Sequence, residues 1–152
     1  MDFTPRLRDT EKGREIFDPV RKKYVALTPE EWVRQQLVQF LVSERQVPLP
    51  VIGVEVVVPF NRRNLRADVI VYGRRGQPLL LAECKAADVK LTSGTFMQLA
   101  GYNLMLHVPW LIVSNGLQLY CCVFNAAAGR YDFVAGVPVY EEMNMEKVNI
   151  YE

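Results

Sequence analysis

The sequence predicts an α/β domain in which one helix precedes three strands, a second helix and a fourth strand follow, and a hairpin closes the fold. Three observations carry this. Thr28-Pro29-Glu30-Glu31 has the form of a helix start, with threonine as N-cap, proline at the first helical position and glutamate three residues after the cap. Two β-rich runs, Val69-Ile70-Val71-Tyr72 and Leu79-Leu80-Leu81, are split by Arg74, Arg75, Gly76, Gln77 and Pro78. These are turn-compatible residues, so the stretch reads as one hairpin with strands over 67–73 and 79–86. Finally, a chain of 152 residues, 50% hydrophobic and 11% aromatic, is globular and large enough to bury one proper core.

Taken in order, residues 1–27 are polar and broken by Pro5, Gly13 and Pro19, which predicts an irregular N-terminal arm with a short edge strand over 24–27. The first helix runs from the Thr28 cap to about Glu44, with Trp32, Val33, Leu37, Phe40 and Leu41 facing the core. Glu31, Arg34 and Gln35 share another face at i, i+3 and i+4, read as a solvated face with Glu31 in the cap. Pro48 and Pro50 end that segment, and 51–60 has the β-branched density of a strand. Glu55 in it is expected to point outward; turned inward it would be a further candidate ligand. Residues 61–64, Asn-Arg-Arg-Asn, form a turn into the central hairpin.

After the hairpin, Thr92 or Ser93 caps a second helix that ends near His107 and Val108, before Pro109. Phe96, Leu99, Ala100, Leu104 and Leu106 supply its apolar contacts, and Gln98 and Tyr102 fall on one stripe at i, i+4. A strand over 110–114 is closed by Asn115-Gly116. Runs 117–125 and 131–134 form a last hairpin, and the acidic tail from Glu141 reads as a short frayed helix. There is no repeat, low-complexity linker or second domain. The expected organisation is a single domain over 1–152, with a core over 28–116 and a C-terminal extension over 117–152.

The chemistry concentrates in the central hairpin. With the turn centred between Arg75 and Gly76, Asp68 lies opposite Glu83, and directly opposed residues have Cβ atoms about 5 Å apart. Lys85 points the same way as Glu83, because strand side chains alternate with period two. Two facing carboxylates beside an ammonium suit a hard divalent cation: Mg²⁺ takes one or two carboxylates and keeps waters that a substrate phosphate can replace. Asp68 and Glu83 would be the ligands, with the backbone carbonyl of Cys84 as a third oxygen. Lys85 would orient or deprotonate the attacking water and stabilise charge on phosphate. The bland alternative is an ion pair on a solvated strand end. Against it stand the apolar runs around these charges, which read as strands buried on both faces, where a charge is costly unless paired or metal-bound.

A net charge of +1 gives no global sign of a polyanion partner, but its distribution does. Residues 61–90 carry seven basic and three acidic side chains, and the last 42 residues carry five acidic and two basic. The basic hairpin, with Arg66, Arg74 and Arg75, could track a phosphate backbone; a solvated turn is the plainer reading of any single arginine. Cys84, Cys121 and Cys122 have no metal-ligand spacing, and the adjacent pair argues against a disulfide framework. Cys84 is expected to face the core. No apolar run approaches a membrane span and the first residues lack an apolar signal region, which points to a cytoplasmic protein. The one histidine, His107, sits at a helix end, and schemes that need a histidine cluster are unsupported.

Five stretches in order, PEEWVRQ at 29–35, RADVIVY at 66–72, AECKA at 82–86, Gln98-x-x-x-Tyr102 and LIVSNG at 111–116, resemble the PD-(D/E)XK nuclease superfamily. They look most like the nuclease domain at the N-terminus of the motor (R) subunit of type I restriction enzymes. The resemblance implies a restriction-endonuclease-like α-β-β-β-α-β core, a mixed central sheet flanked by helices. It implies a Mg²⁺-dependent endonuclease acting on DNA, with Mn²⁺ as a substitute, Asp68 and Glu83 as metal ligands and Lys85 as the catalytic lysine. Gln98 and Tyr102 would hold DNA or position the active strand, and Glu31 would be an auxiliary acid near the metal. Ala67 departs from the proline in the motif's name. A chain of 152 residues has no room for the motor and its ATP site, so it is expected to act alone, as a homodimer, or with a partner protein. The alternatives are a nucleic-acid-binding module that does not cut, and a partner subunit that docks through its acidic C-terminal segment.

Overall fold

The computed structural model describes residues 3–60 and 63–145. Strands β1 (Leu7–Thr10), β2 (Gly13–Asp18) and β3 (Lys23–Ala26) form one antiparallel sheet in that order. Helix α1 (Pro29–Arg45) follows, then β4 (Ile52–Phe60), β5 (Arg63–Tyr72), β6 (Pro78–Cys84), α2 (Ser93–Leu106), β7 (Trp110–Ser114), β8 (Leu119–Asn125), β9 (Arg130–Val134) and α3 (Tyr140–Met143). The second sheet has six strands in the order β4-β5-β6-β7-β8-β9. Its β6–β7 pair is parallel and the others are antiparallel, so the sheet is mixed. The parallel pair needs a crossover, which α2 supplies.

Residues 7–26 are therefore a three-stranded sheet and not an irregular arm. They escape the period-two signal because β1 is exposed at every position and, in β2, only Ile16 and Asp18 are buried. Cross-strand ion pairs hold the register instead, Arg8 to Glu15 at 2.7 Å and Arg14 to Asp9 at 3.0 Å. Arg6 and Arg8 also lie over the rings of Phe17 and Tyr24.

Helix α1 starts where its sequence says: Thr28 Oγ1 accepts the Glu31 amide at 3.0 Å. It ends at Gln46, which takes a left-handed φ of 53°. Val33, Leu37, Val38 and Leu41 are buried against the sheet. Trp32 is not among them; it is 38% exposed and stands edge-on to Phe3. Glu31, Arg34 and Gln35 are all buried, so that stripe is not a solvated face. Helix α2 opens with Thr92 Oγ1 accepting the Thr95 amide, and His107 ends it with a left-handed φ of 57°. The side chains of Tyr102, Leu104 and Leu106 lie outside the described residues.

The central hairpin reaches the expected register by another route. Gly73 donates to the Gln77 carbonyl at 2.7 Å and Tyr72 pairs with Pro78, so the tip alone would set Asp68 opposite Ala82. A bulge then absorbs Leu79, and Val71, Ile70 and Val69 pair with Leu80, Leu81 and Ala82. One further step sets Asp68 opposite Glu83. On the other side, Arg63 and Asn64 belong to β5 and not to a turn, while residues 61 and 62 lie outside the described ones.

The six-stranded sheet buries one face under α1 and the other against α2. Besides the bulge at Leu79, side-chain alternation breaks within the β4–β5 pair. Val54 and Val69 belong to the layer under α1, but their neighbours two residues away, Val56 after Val54 on β4 and Ala67 before Val69 on β5, belong to the layer under α2. Glu55, with φ 52°, sits at the break, opposite Asp68 in the β4–β5 register. Gly53 is required beside it: a Cβ there would stand 2.6 Å from Val56 and 2.8 Å from Ile70.

Candidate active site

Asp68 and Glu83 stand on neighbouring inner strands. Asp68 Oδ2 accepts the Cys84 amide at 2.8 Å, and its Oδ1 lies 3.3 Å from Arg34 Nη2. Glu83 Oε1 lies 3.4 Å from Lys85 Nζ. Burial first, and the charge of Asp68 second, push the Glu83 carboxyl up to about 7, and Lys85 opposes the shift. Lys85 is fixed through its backbone, which donates to the Ser114 carbonyl at 2.8 Å, while its side chain remains 37% exposed. Cys84 between them is buried, as expected, and burial holds its thiol far above the ordinary range, so it stays neutral.

A second set of charges joins this pair from the α1 side. Arg34 Nη1 lies 2.8 Å from Glu31 Oε1, and Nη2 lies 3.4 Å from Glu55 Oε1. Arg21 donates to Glu31 Oε1 at 2.6 Å and to Glu55 Oε2 at 3.2 Å. Arg21 Nε also pairs with Asp18, which is fully buried and caps the amides of Val20 and Arg21. Gln35 Nε2 takes the other oxygen of Glu31 at 3.1 Å. Glu31 thus reaches the cluster with both oxygens engaged, and not as an open acid. Asp18 and Arg21 were not legible as site residues, since no spacing rule links position 21 to 31 or 55. The one local sign is Asp18-Pro19, a turn-forming pair.

On the α2 side a cleft of about 250 Å³ is lined by Arg66, Glu83, Lys85, Thr95, Gln98 and Leu99, among others. The structure thus brings Gln98 and Arg66 to the Glu83–Lys85 pair, with Arg66 Nη1 also 4.0 Å from Glu55. It does not bring Arg74 and Arg75 there. They occupy the hairpin tip, beyond the end of β5 at Tyr72, six and seven residues from Asp68, or about 20 Å along an extended chain. The Arg74 amide donates to Asn144 and its guanidinium lies over the Tyr140 ring, so that arginine serves α3. The side chain of Tyr102 lies outside the described residues.

As they stand, no three acidic, histidine or cysteine side chains among the described residues converge as a metal cage. Two carboxylates suffice for Mg²⁺, which keeps most of its waters. Burial first and Asp68 second hold the Glu83 carboxyl up, a bound cation would favour its charged form, and a donor set of two carboxylate side chains fits a hard divalent cation.

A mixed six-stranded sheet with a helix on each face, carrying Asp, Glu and Lys at one end of its inner strands, defines an α/β domain with a charged cleft. The chain belongs to the family described as the type I restriction enzyme R protein N terminus, whose model matches residues 29–138. A solved structure described as a fragment of an HsdR subunit of a type I restriction enzyme from Vibrio vulnificus YJ016 shares the fold. The TM-score is 0.53 at 19% identity, over 78% of this chain and 25% of that one. This chain thus spans a quarter of the length of that relative. No curated protein matches it. Among the described residues, no helix is long and apolar enough to cross a membrane.

Proposed function

We propose that this domain is a Mg²⁺-dependent phosphodiesterase that cuts DNA, a nuclease of the PD-(D/E)XK kind with a restriction-endonuclease-like core. One observation carries the reading: Asp68 and Glu83 face each other on buried inner strands, with the Lys85 ammonium 3.4 Å from Glu83 at the mouth of a cleft. In this reading Asp68 and Glu83 hold the cation, with the Cys84 carbonyl as a further oxygen, and Mn²⁺ substitutes for Mg²⁺. When bound, the cation supplies Lewis acidity toward the phosphate and a more acidic water. Lys85 places a positive charge where negative charge grows on the phosphate oxygens. Arg66 and Gln98 grip the strand from the rim, with Tyr102 as a further contact. Family membership supports a role in restriction, with DNA and other subunits, or a second copy of this chain, as partners.

The test is cleavage of supercoiled, linear and single-stranded DNA and of RNA by purified protein with Mg²⁺, Mn²⁺ or chelator. Metal-dependent cleavage of DNA is expected. No cleavage of any substrate, together with salt-sensitive DNA binding, would favour a second reading: a module that holds nucleic acid without cutting it. The ion pair between Arg34 and Asp68 favours that second reading, because it already neutralises one proposed ligand.

A further inference from the structure

Three acids from three elements, Glu31 of α1, Glu55 of β4 and Asp68 of β5, meet on one guanidinium, that of Arg34. Arg34 is 6% exposed, and its Nε is buried with no hydrogen-bond partner. A buried arginine that spends its terminal nitrogens on three carboxylates and leaves Nε idle is placed by charge and not by donor geometry. Its contacts are also unequal. The bond to Glu31, one helical turn away on its own helix, is 2.8 Å, whereas those to Asp68 and Glu55 are 3.3 and 3.4 Å. The grip is firm on α1 and loose on the sheet.

On Asp68 the two oxygens are already divided, one to the Cys84 amide and one to Arg34. Each carboxylate oxygen can accept one hydrogen bond and still face a cation, so the Cys84 amide can stay on Asp68, whereas the guanidinium on Oδ1 sets a positive charge where the ion would sit and is the group that would have to yield. We propose that Arg34 is an internal cation that occupies the metal's place on Asp68 and withdraws toward Glu31 when the ion binds. In the metal-free protein it keeps Glu31, Glu55 and Asp68 from repelling one another, and it lowers the affinity for the ion by competing for the same oxygen. Arg21, which holds Glu31 and Glu55 from the other side at 2.6 and 3.2 Å, keeps these acids compensated when Arg34 moves. Arg34 is in this sense a positioning residue. The inference rests on the reading of Asp68 and Glu83 as a metal site.

The experiment is Mn²⁺ binding, followed by calorimetry and by the melting temperature, in the wild type, Arg34→Gln and Arg34→Lys. Removing a cation from contact with the binding oxygens should tighten Mn²⁺ binding in Arg34→Gln by about tenfold or more, while its metal-free form melts lower than the wild type. Arg34→Lys should return both quantities toward the wild type. A staple between α1 and the sheet would also lower the melting temperature but would not tighten the metal. Equal or weaker Mn²⁺ binding in Arg34→Gln, with the wild type still binding, overturns the role of Arg34 and leaves the metal site standing. No Mn²⁺ binding by any of the three removes the metal site and this inference together. Should Arg34→Gln not fold, Glu55→Gln with and without Arg34→Gln carries the same comparison in a protein with one fewer acid, and tighter binding in the double variant is again the expected result.

Discussion

Arg21 Nη2 lies 2.6 Å from Glu31 Oε1, and this bond ties the N-terminal sheet to the first turn of α1. The matched family segment begins at residue 29, so Arg21 enters the charge cluster from outside it. Asp18, with no exposed surface, depends on the same guanidinium.

Removing Arg21 leaves Asp18 and Glu31 buried with less compensation, and breaking such a pair costs about 3 kcal/mol or more. Arg21→Ala should lose about that much in urea unfolding, and Asp18→Asn should recover part of it in the double variant. A loss under about 0.5 kcal/mol in Arg21→Ala would show that the sheet is held by other contacts.

The Glu83 carboxyl, pushed up to about 7 from 4.5 by burial and by Asp68, makes stability depend on pH. Between pH 4.5 and 7 the folded protein holds a proton that the unfolded chain releases, so stability falls as pH rises through that window, and the cost is complete above 7. Glu83→Gln removes the cost. In chelator it should be more stable than the wild type at pH 8 by about 1–2 kcal/mol, a figure reduced for the partial exposure of the group. The gain should vanish toward pH 4. A difference that does not change with pH would contradict the raised carboxyl.

Much of this was legible in the sequence because it depends on local chemistry. The Thr28 cap, the hairpin and the 110–114 strand each announce themselves within a few residues, and strand alternation sends Cys84 into the core. The register of Asp68 against Glu83 was legible by compensation: the tip is one residue out of the assumed register, and the bulge at Leu79 restores it. What was not legible depends on long-range charge. Strand β1 is exposed throughout, β2 buries only Ile16 and Asp18, and ion pairs hold the two in register, so they carry no clear hydrophobic period. The burial of Glu31 and Arg34 follows from Arg21 and Asp18 arriving from another sheet. The break in alternation at Glu55 needs a left-handed residue that is not glycine, which sequence rules place in a turn and not within a strand.

Arg66 and the hairpin-tip arginines should now behave differently. Arg66→Ala should weaken binding to all DNA sequences alike and flatten the salt dependence by about one unit of slope for one lost phosphate contact. Arg74→Ala with Arg75→Ala should leave the slope unchanged, because the tip lies at the far end of the strands. Filter binding over a salt series measures both, and a flattened slope in the tip variant would place DNA along the whole hairpin.

Lys85 separates holding the cation from using it. Lys85→Ala should retain the Mn²⁺-induced rise in melting temperature and lose roughly a hundredfold or more in cleavage rate, as for other positioned charged or acid–base groups. Wild-type rates in that protein would take lysine out of the reaction.

The most direct measurement is the rate at which supercoiled plasmid is cut by the wild type and by Asp68→Asn, each with Mg²⁺ and with chelator. Cleavage by the wild type in Mg²⁺ alone is the expected result, with Asp68→Asn folded and inactive in both conditions. Equal cleavage by the two proteins, or cleavage that persists in chelator, would contradict a metal site built on Asp68 and Glu83.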